Sequence, residues 1–209
     1  MIYYCYITPQ WLRLFDKDFN ITNQRKTKIN NYIKLEDKLN SLVSFLLIKK
    51  YFEVNNIKSD LNFIYNEHGK PFINNCPVKF NISHTDNMVV VAFSEYEIGV
   101  DVEKVNEFSE NLVSYIFDEI EIKEYSDLLT DLVFLTNVWT KREAYLKMVG
   151  TGISSDFNNI KFDYKKLSLC YNGFMISSAE LDNHIISISS NDKSYELKEI
   201  SLEDILEIS

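Results

Sequence analysis

The sequence lacks paired cysteines, a long apolar run and a surplus of positive charge. Its three cysteines, Cys5, Cys76 and Cys170, are widely spaced without a metal-ligand pattern, which favours a reduced, cytoplasmic setting. The N-terminus has no basic leader, and the apolar stretch 42–48 is far short of the roughly 20 residues that a membrane span needs. The sequence therefore predicts a soluble intracellular protein that does not enter a membrane.

The charge balance is acidic, with a formal net charge of −9. This argues against general nucleic-acid binding, which needs a basic surface. A phosphate-bearing ligand must instead be held by a metal or by a few local cations, and residues 25–28 are the densest basic cluster. A hydrophobic content of 45% and an aromatic content of 14% exclude a disordered chain.

Hydrophobic periodicity predicts a mixed chain of strands and helices. An opening strand at 2–7 precedes a core-packed helix at 35–52, and helical patterns return at 109–129 and 131–149. Later strands are predicted at 174–178, 184–189 and 195–200, followed by a short helix at 201–208. We expect two lobes of similar size, 1–96 and 97–209.

Three strand candidates follow one another closely at 80–84, 88–94 and 98–103, and their short connectors predict an antiparallel meander. The middle run is apolar without alternation, so it should be buried on both faces. The first and third strands then run the same way, which brings His84 and the pair Asp101 and Glu103 to one end of the sheet. An ungapped register puts both carboxylates on the face of Ser83, with His84 opposite.

Asp101 and Glu103 are two anions on one face of an otherwise apolar strand. They repel each other and are costly to desolvate, so they need lysine or arginine partners or a hard divalent metal such as Mg²⁺. An exposed strand face is the simpler explanation of the pair taken alone. A helical stripe of Trp139, Glu143 and Lys147 has two readings as well: a surface ion pair with a packed tryptophan, or a metal ligand beside a phosphate ligand.

The ordered set of segments 80–84, 99–103 and 139–147 resembles the signature of the 4′-phosphopantetheinyl transferase superfamily, in its larger surfactin-synthetase-activating (Sfp-like) type. Supporting matches are 69–71, 124–126 and 150–152, so the resemblance extends from about Gly69 to Gly152. It implies an α/β (α+β) pseudo-dimer of two similar lobes. Each lobe is a small, largely antiparallel sheet packed on a long helix, and the active site lies in the cleft between them.

The resemblance also implies an activity and its partners. Members of the family transfer 4′-phosphopantetheine from coenzyme A to a serine of an apo acyl or peptidyl carrier protein and release adenosine 3′,5′-bisphosphate. The expected cofactor is Mg²⁺, with Mn²⁺ as a substitute, and the expected state is a monomer. Two alternatives stay open: a non-catalytic module of the same fold that binds coenzyme A or a carrier protein, and an unrelated Mg²⁺-dependent phosphohydrolase.

Site roles follow from the resemblance residue by residue. The implied metal ligands are Asp101, Glu103 and Glu143. Lys147 is the implied diphosphate contact, and either Glu143 or Glu124 is the base that takes the serine proton. The residues implied to bind the 3′-phosphate and adenosine end are Arg25, Lys28, Lys70, Ser83 and His84. The carrier contact is expected near 104–125.

Two positions depart from the family pattern. Arg142 stands where the family has lysine, and its planar fork would contact phosphate differently from a compact ammonium. Asn40 occupies a position that the family fills with arginine, which shifts adenosine-end binding onto the remaining cations. Trp139 is expected only to pack.

Overall fold

The computed structural model of the protein describes residues 1–152, 157–192 and 194–208. Its strands are β1 (Ile2–Tyr6), β2 (Ile64–Tyr65), β3 (Pro71–Phe72), β4 (Lys79–Thr85), β5 (Met88–Ser94), β6 (Ile98–Lys104), β7 (Ser168–Tyr171), β8 (Phe174–Leu181), β9 (His184–Ser190) and β10 (Leu197–Glu199). Its α-helices are α1 (Asn23–Asn31), α2 (Leu35–Val54), α3 (Glu110–Ile116), α4 (Glu119–Glu124), α5 (Leu132–Val149) and α6 (Leu202–Leu206). Short 3₁₀ turns cover Pro9–Asp16, Ser126–Leu128 and Phe157–Asn159.

Two four-stranded sheets form the body of the molecule. The first has the order β10-β1-β5-β4 and the second β6-β9-β8-β7, and a small hairpin joins β2 to β3. All strand pairs are antiparallel except β1 with β10, which is parallel. Each sheet packs on one long helix, α2 or α5, so the expected α+β architecture is confirmed.

Three hydrophobic cores hold these layers together. One lies between α2 and the first sheet, a second surrounds α5 beside the second sheet, and a third fills the space between the two sheets. Strand β5 is buried along its whole length, as its unalternating apolar run predicts. None of the helices among the described residues is long and apolar enough to span a bilayer.

The helix ends follow local capping chemistry. The side chain of Asp131 accepts from the first backbone amides of α5, and Gly150 ends that helix in the left-handed conformation with φ 81°. The helix predicted at 109–129 is instead two short helices, because Asp118 and Glu121 form a capping box that starts α4 in the middle of it. The weakly patterned β7 was not predicted.

The predicted meander is wrong in its third strand. Strands β4 and β5 pair through a two-residue turn, but β6 leaves the first sheet and pairs with β9. At the other end of the chain, β10 returns to the first sheet, and Ile200, Leu202, Ile205 and Ile208 enter the core under α2. The boundary near residue 97 stays a prediction; it falls where the chain passes from one sheet to the other.

Candidate active site

Strand β4 lies beside β6 where the two sheets meet, and the two strands run in the same direction. Ser83 Oγ donates to Asp101 Oδ1 at 2.9 Å, and Thr85 Oγ1 donates to Glu103 Oε2 at 3.3 Å. Because side chains alternate along a strand, His84 points to the opposite face, where its Nδ1 lies 3.5 Å from an amide group of α2. The predicted faces of these residues are confirmed, although β4 and β6 are direct neighbours rather than two strands apart.

Asp101 is 3% exposed and lies at the centre of the charged groups. Its Oδ1 accepts from Lys147 Nζ at 2.6 Å as well as from Ser83 Oγ. Lys147 Nζ also donates to Ser83 Oγ at 2.9 Å. Ser83 of β4, Asp101 of β6 and Lys147 of α5 are thus hydrogen-bonded to one another. Asp101 Oδ2 is buried without a partner among the described residues, so this oxygen is open to a further cation or donor.

Glu103 is half-buried and interacts with both neighbouring elements. Its burial, followed by the charge of Asp101, raises its pKa to about 7, and the hydrogen bond from Thr85 and the charge of Lys147 oppose that rise. Trp139 packs on Phe157 with the ring centroids 5.2 Å apart, in agreement with its expected packing role.

Glu143 reaches the same charge cluster from α5, one turn before Lys147. It is 6% exposed, and its Oε1 is buried without a partner among the described residues. Burial, followed by the charge of Asp101, raises the pKa of Glu143 to about 7, while Lys147 opposes the rise. The structure thus joins the three predicted carboxylates in one electrostatically coupled cluster.

The cluster is not an assembled cation site. Among the described residues, no group of three or more His, Cys, Asp or Glu side chains is arranged to hold a metal ion. The ammonium of Lys147 already neutralises one oxygen of Asp101. What the cluster offers a cation is a set of carboxylate oxygens, two of them buried without partners, and all-oxygen ligands suit a hard divalent ion.

A basic cavity of about 110 Å³ opens between α1, α2 and β4. Arg25, Lys28 and His84 line it together with Asp37, so three of the residues that the resemblance groups lie around one cavity, and their ligand role stays a prediction. Burial, followed by the charge of Lys147, lowers the pKa of His84, which favours its neutral form. Asn40 is buried beside His84, with its Nδ2 3.5 Å from His84 Nδ1.

The two basic residues of α1 are held differently. Arg25 is 6% exposed, donates to the carbonyl of Ser41 and lies over the ring of Phe63 at 5.4 Å, so it is anchored inside the wall. Lys28 is more exposed, with its Nζ 3.9 Å from the ring centroid of Tyr65. Lys28 is therefore the freer of the two cations.

A second cavity, of about 310 Å³, adjoins the first. Both are lined by Gly69, Pro71 and Ile82, and the second is also lined by Glu143 and Lys147. We call these two adjacent cavities the trough. A ligand with a phosphate at one end and a reacting diphosphate further along would lie lengthwise in such a trough.

Lys70 and Ser83 lie apart from the basic cavity with which the sequence groups them. Lys70 Nζ donates to the carbonyl of Met148 at 2.7 Å and to Glu97 Oε2 at 3.2 Å, and Lys70 lines the second cavity. Ser83 is used by Asp101 and Lys147. The predicted role of Lys70 and Ser83 at the adenosine end stays a prediction.

The prediction that Arg142 contacts the phosphates of the ligand is wrong. It is fully buried, and its guanidinium donates to Glu121 Oε1 at 2.9 Å, to Tyr164 Oη at 2.8 Å and to the carbonyl of Ile116. Because all three guanidinium nitrogens have partners inside the second core, Arg142 does not reach a phosphate. It joins α5 to α3 and α4.

Glu124 also lies away from the cluster. It is exposed at the end of α4 and lines a separate surface cavity with Lys161 and Lys165. The groups that shift the pKa values of Glu103 and Glu143 do not include it. Of the two predicted bases, only Glu143 is brought to the other carboxylates.

Comparison with known sequences agrees with this geometry. The profile of the family described as "4'-phosphopantetheinyl transferase superfamily" matches residues 97–195. The profile described as "4'-phosphopantetheinyl transferase, N-terminal" matches residues 9–96. The chain belongs to the 4′-phosphopantetheinyl transferase superfamily.

Individual relatives point the same way. The chain is similar to the 4′-phosphopantetheinyl transferase gsp of Aneurinibacillus migulanus, with 31% identity over 151 residues that cover 69% of this chain and 62% of the relative. It is also similar to the 4′-phosphopantetheinyl transferase Sfp of Bacillus subtilis (strain 168), with 31% identity over 146 residues, 64% of this chain and 62% of the relative. A third relative, the 4′-phosphopantetheinyl transferase pptA of Paxillus involutus, is 26% identical over 192 residues, 79% of this chain and 73% of the relative. The chain thus spans less than two thirds of the length of the first two.

Proposed function

We propose that the protein transfers 4′-phosphopantetheine from coenzyme A to a serine of an apo acyl or peptidyl carrier protein. The observation that carries this proposal is that the first cavity of the trough is lined by Arg25, Lys28 and His84, and the second by Glu143 and by Lys147, whose ammonium donates to Asp101. Arg25, Lys28 and His84 are the cations and donors for the 3′-phosphate and adenosine end. Lys147 is the cation that contacts the diphosphate.

A divalent cation, Mg²⁺ or Mn²⁺, fits the donor set. The buried oxygens Asp101 Oδ2 and Glu143 Oε1 have no partner among the residues that the structure describes, and the pKa values of Glu103 and Glu143 are raised by burial and then by the charge of Asp101. Asp101, Glu103 and Glu143 would hold the ion. When bound, it supplies charge neutralisation to the diphosphate.

The protein's own residues account for the rest of the reaction. The serine oxygen attacks the β-phosphorus, and the bond between that phosphorus and the bridging oxygen breaks, so that adenosine 3′,5′-bisphosphate leaves. Glu143 takes the serine proton, because of the two predicted bases it is the one that lines the trough beside Lys147. Lys147 counters the negative charge on the leaving group.

Three finer statements belong to the same proposal. The protein works as a monomer, because elements of both predicted lobes already line the trough, and its location is the cytoplasm. The carrier protein docks near 104–125. Arg142 and Glu121 hold this segment to α5.

The test is an intact-mass assay with coenzyme A, Mg²⁺ and a panel of apo carrier proteins. A phosphopantetheine-sized gain on a carrier, together with release of the bisphosphate, is the expected result, and both should disappear on chelation of the metal. Coenzyme A binding with no gain on any carrier would identify a binding module instead. Hydrolysis of coenzyme A without transfer would identify a phosphohydrolase.

The same assay decides the base. Glu143→Gln keeps the shape of the side chain but cannot accept the proton, so transfer should fall by about 100-fold or more. The comparison variant is Glu124→Gln. Loss of transfer in Glu124→Gln, with retention in Glu143→Gln, would reverse the assignment.

A further inference from the structure

The turn that joins β2 to β3 is built around the side chain of Asn66. Asn66 Oδ1 accepts from the backbone amide of His68 at 3.0 Å and from that of Lys70 at 2.8 Å. The Asn66 carbonyl also accepts from the amide of Gly69 at 3.0 Å. These bonds hold residues 66–70 in one conformation, and an aspartate could make all of them, because each needs only an oxygen.

The nitrogen of the same side-chain amide leaves the turn and contacts helix α5. Asn66 Nδ2 donates to the carbonyl of Gly150, the residue at the end of that helix, at 2.9 Å. Because a backbone N–H can only donate and a carbonyl can only accept, the contacts on the two sides of the amide fix the same orientation independently. The bond to α5 is therefore the contact that requires asparagine rather than aspartate.

The last carbonyls of a helix need partners from outside it, and they form the negative end of its dipole. Two such partners of α5 come from the turn: Asn66 Nδ2 for Gly150, and Lys70 Nζ for Met148 at 2.7 Å. A Cβ on Gly150 would lie 2.9 Å from Asn66 Nδ2, so a glycine at the helix end allows this close approach. The turn 66–70 thus caps the C-terminus of α5.

The capped end of α5 carries Lys147. The Lys147 ammonium donates to Asp101 Oδ1 at 2.6 Å, and both Lys147 and Gly69 of the turn line the second cavity. The cap therefore joins two walls of the trough. Asn66 itself lines neither cavity of the trough, so an effect of Asn66 on a ligand there must pass through the elements that it joins.

We infer that Asn66 is a positioning residue, which holds the last turn of α5 in place so that Lys147 meets the diphosphate of coenzyme A. This inference rests on the proposed function, which supplies the role of Lys147. Lys70 supports the same helix end, but its ammonium also pairs with Glu97 at 3.2 Å. The bond from Asn66 is therefore the link to α5 that one substitution can remove cleanly.

The test variant is Asn66→Asp, which keeps an oxygen for the two amides of the turn and places a second oxygen against the carbonyl of Gly150. Coenzyme A affinity, measured by titration calorimetry, should fall by about 10-fold, because the lysine is displaced from the charged ligand. In a Lys147→Ala background the same substitution should lower the affinity by less than about twofold, since the group that Asn66 positions is gone. A merely structural role would give equal losses in both backgrounds.

The end of α2 offers a matched control. Asn55 Nδ2 donates to the carbonyl of Tyr51 at 2.8 Å, and Asn55 lines neither cavity of the trough. Asn55→Asp makes the same chemical change at another helix end, and it should leave the coenzyme A affinity unchanged.

Hydrogen–deuterium exchange tests the cap without a ligand. The amide of Gly150 donates to the carbonyl of Leu146 at 2.7 Å, and in Asn66→Asp it should exchange about 10-fold faster, because the last helical turn opens more often. An unchanged exchange rate would overturn the capping role of Asn66.

The outcomes separate this inference from the proposed function. Unchanged coenzyme A affinity in Asn66→Asp, or equal losses with and without Lys147, would overturn the positioning role. Failure of the wild-type protein to modify any carrier would overturn the proposed function instead, because neither the titrations nor the exchange depends on transfer. If Asn66→Asp does not fold, Asn66→Ser is titrated in the same two backgrounds and judged by the same ratio.

Discussion

Glu103 and Glu143 are the residues whose chemistry depends most on their surroundings. The pKa of each is raised from the ordinary carboxyl range to about 7, first by burial and then by the charge of Asp101. A carboxyl whose pKa is higher in the folded state binds a proton more tightly there than in the unfolded chain. Its ionisation therefore costs stability as pH rises above its unfolded pKa.

The Glu143→Gln variant should become more stable than the wild type as pH rises. At pH below about 4.5 both side chains are neutral and the two proteins should melt together, whereas at pH 8 the wild type carries the buried charge. At pH 8 the free energy of unfolding of Glu143→Gln should exceed that of the wild type by about 1–2 kcal/mol, which corresponds to a Tm difference on the order of 2–8 °C. Thermal melts without divalent metal between pH 5 and 8 measure it, and a Tm difference that is independent of pH would contradict the raised pKa.

Arg142 and Glu121 form a fully buried ion pair, so removing one partner leaves an uncompensated charge. Arg142→Met should lower the free energy of unfolding by about 3–5 kcal/mol. The double variant Arg142→Met with Glu121→Leu should recover much of that loss, because both charges are gone. Urea denaturation measures all three proteins, and a double variant no more stable than Arg142→Met would show that the hydrogen bonds to Tyr164 and Ile116 carry the stability instead.

At this scale the sequence was a good guide to which residues share a face and a poor guide to which are buried. Strand periodicity put Ser83, Asp101 and Glu103 together correctly. Arg142 was assigned to the ligand site because the family has lysine at this position, but consecutive residues on a helix are about 100° apart, and Arg142 points into the second core.

Helix α5 and strand β6 approach each other more closely than side chains ordinarily permit. A Cβ on Gly99 would lie 2.0 Å from the carbonyl oxygen of Ala144 and 2.3 Å from the amide nitrogen of Met148. Both are backbone atoms, so neither can move aside independently of the helix. Gly99 thus sets the distance between the strand that carries Asp101 and the helix that carries Glu143.

Gly99→Ala should push β6 away from α5. The cost in unfolding free energy is expected at about 2–4 kcal/mol, and transfer activity should be lost because the carboxylates separate. The matched control is Gly173→Ala, where φ is 83° but nothing lies within 4 Å of the added Cβ. In Gly173→Ala the free energy of unfolding should fall by only about 1–2 kcal/mol, and the coenzyme A affinity should be unchanged. Equal losses of unfolding free energy in the two variants would refute a steric role for Gly99.

Helices and strands with a clear hydrophobic pattern or clear capping residues were predicted well. The pairing of the strands with one another was not. Helix α2 has apolar side chains at helical spacing, strand β5 is apolar except at its last residue, and α5 has a cap at each end, so each is specified by its own residues. The turns before and after β5 are both short, with two and three residues, yet only the first is a hairpin. Whether β6 pairs with β5 or with β9 depends on a strand more than 80 residues away, which local patterns do not contain.

At the scale of the whole molecule, the last segment of the chain completes the first core. Strand β10 pairs with β1, and four apolar side chains of the segment that follows are buried against α2 and its sheet, namely Ile200, Leu202, Ile205 and Ile208. Burying each is worth about 1.5–3 kcal/mol, so their sum rivals the stability of an average domain. A lobe made only of residues 1–96 would lack this part of its core.

Truncation after residue 194 should therefore unfold the first lobe. We expect the shortened chain to lose its cooperative thermal transition and to bind coenzyme A no better than a denatured control, since α2 and β4 carry the basic cavity. Circular dichroism melts and calorimetry check both points. The control is the full chain with Lys198→Ala, a change at an exposed side chain of β10, and it should melt at the same temperature as the wild type. If the truncated chain also melts at the wild-type temperature, the first lobe is stable without β10 and α6.

The contact between β4 and β6 has a consequence for the opening of the trough. The amides of Val100 and Val102 donate to the side chains of Asn81 and Ser83 in the other sheet, whereas the β6 amides that face β9 are protected by their own sheet. A motion that separates β4 from β6 exposes the first pair of amides and leaves the second group bonded. Hydrogen–deuterium exchange at these two valines, compared with the other β6 amides, therefore measures the free energy of that separation without a ligand.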